Sequence, residues 1–142
     1  MRNILPVILL SLALPALAGE LIIYPTEDDF DDATFALESA IIGRGLNIDY
    51  VSHVGEMLAR TKEDVGGTVD IFDAADIFVF CSARLSRQVM EVDPMNIMHC
   101  PYRVFVADQA GKVTIGFAAF PEGEMQVIQD LLDGIAREAA GL

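Results

Sequence analysis

The sequence has no tryptophan, only two cysteines and two histidines, and nine basic residues against 22 acidic ones. Each scarcity removes a class of function. A formal net charge of −13 repels phosphate backbones and anionic lipid heads, so nucleic acid and membrane surfaces are poor partners. Neither cysteine lies in a C-x-x-C or C-x-x-C-H motif, which leaves thioredoxin-like exchange and covalent c-type haem attachment without support. There is no G-x-S-x-G elbow, H-E-x-x-H, P-loop or dinucleotide fingerprint. A non-enzymatic role is therefore expected. The acids Glu27, Asp28, Asp29, Asp31 and Asp32 stand at a predicted helix start, where the helix dipole accounts for them.

One long apolar run is present, at the beginning. Arg2 supplies a positive n-region, Ile4 to Leu17 is almost wholly apolar, and Ala16-Leu17-Ala18 is a small-x-small cleavage site before Gly19. Residues 1–18 are read as a secretory signal peptide, interrupted by Pro6 and Pro15 and too short to span a bilayer comfortably. Residues 19–142 then form a single domain without linker or repeat, periplasmic or secreted. In an oxidising compartment the even cysteine count suggests a disulfide between Cys81 and Cys100.

Patterning along that domain predicts a strand at Leu21–Tyr24, ended by Pro25. A helix follows, capped by Thr26 and closed at Gly45. Leu46–His53 alternates as a strand, and a short helix spans Gly55–Thr61. Ile77–Cys81 is a continuous apolar strand. Ser82 caps a helix that ends by Asp93-Pro94. Ile97–Ala107 and Lys112–Phe120 form a hairpin, and a last helix runs over Glu122–Ala139. The expected fold class is α+β: a mainly antiparallel sheet with helices on one face.

Several of these stretches are similar to a known family. Phe30-Asp-Asp, Gly45-Leu-Asn-Ile, Ser52-His-Val-Gly-Glu-Met-Leu58, Phe80-Cys-Ser-Ala-Arg-Leu-Ser86 and Met90-Glu-Val-Asp-Pro94 through Cys100-Pro-Tyr102 resemble domain of unknown function 302 in order and spacing. The resemblance covers nearly the whole domain. It implies a TATA-binding-protein-like β-α-β(4)-α fold, a dimer, and haem binding of the kind suspected for some members.

Alternation assigns Ile77, Val79 and Cys81, with Met98, Cys100, Tyr102, Val104, Val106, Val113, Ile115 and Phe117, to the helix-covered face. The other face receives Val51, His53, Phe78, Phe80, His99, Arg103, Phe105, Gly116 and Ala118. So apolar a second face points to a homodimer interface or a ligand site. A flat apolar slot with histidine suits non-covalent haem b or a similar small apolar ligand. His53, in the family-like motif, is the first candidate for the metal, with His99 and Met57 as substitutes. Arg84, Arg87 and Arg103 are candidates for the propionates, and Phe78, Phe80 and Phe105 for the slot. The alternative is a redox or copper- and sulfur-handling accessory protein or enzyme using Cys81, Cys100 and a histidine, since Met95, Met98, His99 and Cys100 offer ligands that soft copper prefers.

Overall fold

The computed structural model describes residues 19–142, so the expected signal peptide lies outside the described residues. The chain runs β1 (Leu21–Thr26), α1 (Phe30–Gly43), β2 (Ile48–Ser52), α2 (Val54–Thr61), β3 (Ala74–Phe80) and α3 (Ala83–Val92). A 3-10 turn (Pro94–His99), β4 (Tyr102–Gln109), β5 (Lys112–Ala118) and α4 (Gln126–Ala139) complete it. The five strands form one sheet in the order β1-β5-β4-β3-β2, with every pairing antiparallel. The α+β expectation holds. Among the described residues no helix is long and apolar enough to cross a membrane.

Local chemistry sets the boundaries. The α1 cap is Asp29, whose carboxylate accepts from the Asp32 N–H at 2.9 Å. Thr26, expected in that role, instead accepts from the Asp28 N–H. Gly45 has the left-handed φ of +72° anticipated at the helix end. Pro25 does not end β1: it pairs opposite Thr114 in an edge strand, where its missing N–H removes no ladder bond. The β4–β5 hairpin turns on Ala110 and Gly111, both at positive φ, and the Asp73 carboxylate accepts the Ala110 N–H at 2.7 Å.

The core lies between one sheet face and the pair α1 and α4. Leu37 and Ile41 from α1 and Ile128, Leu132 and Ile135 from α4 are fully buried against Val104, Val106, Ile115 and Phe117. Tyr24 ties β1 to α4: its hydroxyl donates to Asp133, and the Arg137 guanidinium lies 5.4 Å from its ring centre.

Two sequence expectations fail here, and both failures bear on the site. Phe78 pairs opposite Val104, and Phe80 opposite Tyr102. Directly opposed residues share a face, so these phenylalanines belong to the core, 4% and 0% exposed. Ile77, Val79 and Cys81 take the other phase. A run apolar in both phases carries no alternation signal, and placing two phenylalanines in the helix-covered core outweighs placing the smaller Ile77 and Val79 there. The segment before β4 is also not a strand. Pro94 opens the 3-10 turn, and the Asp93 carboxylate accepts the Met95 N–H at 2.9 Å. Met98 and His99 lie in that turn and Cys100 caps it, so the three do not alternate as a strand.

Candidate functional site

On the face away from α1 and α4, every second residue of β1, β5, β4 and β3 points outward. Leu21 and Ile23, Lys112 and Thr114, Phe105, Ala107 and Gln109, and Ala75 and Ile77 border a groove of about 540 Å³. That volume is in the range of ordinary small-ligand sites. Leu21 and Ile23 are 53% and 45% exposed. One wall comes from Val54 of α2 and from Phe72. The wall stands close because α2 begins against β3: a Cβ on Gly55 would come within 2.5 Å of the Ala75 nitrogen. The helices therefore do not all pack on one side of the sheet, as patterning suggested.

The floor is shaped by Phe105 and Gly116, which are paired across β4 and β5. A Cβ on Gly116 would meet the Phe105 ring at 2.8 Å and the Ile22 carbonyl oxygen at 2.6 Å. The space that the missing side chain leaves over Gly116 is thus filled by the Phe105 ring from the paired strand.

His53 does not face this groove. It stands at the N-cap of α2, and its Nδ1 is 2.8 Å from Asp76 Oδ1. Asp76 is paired opposite the buried Val106, and Val51 opposite Phe78, so this pair belongs to the helix-side register. The histidine is exposed there because it lies past the strand end. The hydrogen bond that His53 donates to the Asp76 carboxylate, and that carboxylate's charge, raise the His53 pKa above the ordinary value of 6.5. With Nδ1 held by a carboxylate, Nε2 is presented outward, the form in which protein carboxylates commonly orient metal-binding histidines. Met57 lies one turn along α2 and is 41% exposed; the Thr61 hydroxyl donates to its carbonyl oxygen at 2.8 Å, with its sulfur 3.9 Å away.

His99 is at the other end of the sheet. Its ring meets Phe120 edge-on at 5.6 Å, and with Arg103 it lines a separate cleft of about 180 Å³. Arg84 is exposed on α3, and Arg87 pairs with Glu91 at 2.8 Å on the outside of that helix. Neither arginine lines the groove. Of the residues expected to form one slot, only Phe105 lies in it.

The cysteines do come together, as free thiols. Burial, then a hydrogen bond with Cys100, pushes the Cys81 thiol up to about 12. Ser86 Oγ lies 4.0 Å from Cys100 Sγ and 2.8 Å from the Tyr102 hydroxyl. A thiol with so high a pKa stays protonated at neutral pH and is a poor nucleophile. Met95 and Met98 point to solvent instead, 67% and 74% exposed. Among the described residues no three His, Cys, Asp or Glu side chains gather to hold a metal ion.

Sequence reasoning missed Leu21, Ile23, Phe72 and Lys112. Leu21 and Ile23 carried no phase signal, since Leu21-Ile-Ile-Tyr24 is apolar on both faces although the strand alternates in burial. Phe72 carried none, as it precedes β3 in a segment without periodicity.

A crystal structure described as an uncharacterized conserved protein DUF302 from Bacillus stearothermophilus shares this fold, with a TM-score of 0.62 at 14% identity over 85% of this chain and 93% of that one. No curated protein matches the sequence. The family model "Domain of unknown function DUF302" matches residues 22–140, and with nearly every described element inside that span, the chain belongs to the DUF302 family.

Proposed function

We propose that this chain is an exported, non-enzymatic binding protein that holds a flat apolar ligand in the groove on its open sheet face. The observation that carries the proposal is the groove itself: an apolar floor around Phe105 with a raised wall at Val54 and Phe72. Apolar surface left open on one sheet face is costly in water and is stabilised when a ligand or a second copy covers it. Two copies meeting over this face would roof the groove, which keeps the homodimer expectation on a smaller patch that lacks Phe78 and Phe80. Export is supported by the apolar run ending in Ala16-Leu17-Ala18.

Haem b does not fit this groove through its iron. No imidazole, thioether, thiolate or phenol is among the lining residues, and those are the axial ligands that haem proteins use. A second reading places haem at His53, on the strength of the outward Nε2 opposite the Asp76 bond. The copper alternative is disfavoured by the outward-turned methionines Met95 and Met98.

The Phe105→Glu variant tests the groove. Calorimetric titration with 2-naphthamide should show saturable binding to wild type and none to the variant, and light scattering should show the variant as a monomer. Unchanged binding in Phe105→Glu would remove the groove reading. A haemin titration tests the second reading: a Soret shift lost in His53→Ala supports it, and a shift that persists removes it.

A further inference from the structure

The ligand class can be narrowed by the polar residues at one end of the groove. Lys112 and Thr114 lie on the open-face phase of β5, beside Gln109, which pairs with Lys112 across the hairpin. The Gln109 amide is bonded to the Ile71 carbonyl oxygen at 3.2 Å. Asp76, also among the lining residues, lies in the helix-side phase of β3, where its carboxylate is bonded to His53. Lys112 makes no ion pair among the described residues. It is therefore a free cation at the mouth of an apolar groove, in a chain with only nine basic residues and a net charge of −13.

A lysine beside a hairpin turn is unremarkable by itself. Its placement here is what matters: the remaining floor and walls are almost wholly apolar, and one ammonium group with a hydroxyl two residues along offers donors at a single end. A neutral apolar molecule would use none of them. We propose that the groove takes an amphipathic monoanion, a flat apolar carboxylic acid whose ring system lies over Phe105 and whose carboxylate is held by Lys112 with Thr114. A charge-assisted hydrogen bond of this kind changes affinity by about tenfold or more.

This inference rests on the groove reading, and one experiment separates the two. The full mature chain is titrated calorimetrically with 2-naphthoate and with 2-naphthamide, its uncharged counterpart of the same shape. The expected result is binding of the acid about tenfold tighter than the amide, with Lys112→Gln bringing the acid's affinity down to about that of the amide. Equal affinity of the two compounds, or no effect of Lys112→Gln on the acid, overturns the assignment of an anionic ligand while the groove reading stands. Absence of binding by either compound at millimolar concentration overturns both.

Discussion

The ring of Phe105 lies directly over Gly116, close enough that any Cβ at position 116 would meet it at 2.8 Å. The groove floor is therefore made by an aromatic ring bedded on a bare backbone, and it depends on both residues. Gly116→Val places a branched side chain between the Phe105 ring and the Ile22 carbonyl oxygen. The β1 edge must then move or the ring must lift. Overpacking of this kind costs about 1–3 kcal/mol, to be read from urea midpoints, and 2-naphthamide binding should be lost with it.

The assignment of phenylalanines to faces separates two variants by stability. Phe80→Ala empties a fully buried site among Tyr102 and its neighbours and should cost about 3–5 kcal/mol. Phe105→Ala removes a half-buried ring from the open face and should cost clearly less. Equal losses in urea denaturation would contradict the register.

The His53–Asp76 pair makes a small part of stability depend on pH. The folded pKa of His53 is raised above 6.5, so folding favours its charged form. That contribution is fully present below the unfolded value and is lost as pH rises through the higher folded value. Because the ring is largely exposed, the effect on the urea midpoint is small. The direct readout is the His53 titration followed by NMR, which should move to lower pH in Asp76→Asn. A titration unchanged by that substitution would contradict the hydrogen bond.

The adjacent thiols should close into an intramolecular disulfide when a disulfide oxidant such as oxidised glutathione accepts their two electrons. The bridge would enclose a loop of about 20 residues and add roughly 3 kcal/mol in the chain-entropy account. Oxidised protein should then show no alkylatable thiol after unfolding and a higher urea midpoint, reversed by dithiothreitol. Two thiols still alkylatable after oxidation would contradict their placement.

Much of the fold could be read from the chain, because strongly periodic segments had one dominant solution. The Ser82 cap, the Asp93-Pro94 stop and the Gly45 terminus all appear where the sequence places them. The site was less legible. Ile77–Phe80 is apolar on both faces, so its phase was decided by pairing with β4, which local sequence does not encode. His99 was assigned a strand face although Pro94 and Pro101 bracket a turn. His53 was correctly tied to the Val51 and Phe78 phase, but that phase proved to be the helix side, which separated the imidazole from the groove. The likeness to the family held.

The central claim is that an apolar ligand occupies the open-face groove, and methyl NMR tests it most directly. Titration of methyl-labelled protein with 2-naphthamide should shift the Ile23, Ile77 and Leu21 methyl signals together along one saturable isotherm, while those of Ile128, Leu132 and Ile135 in the core stay in place. Absence of shifts at millimolar ligand, or shifts confined to methyls outside the groove, would contradict the account.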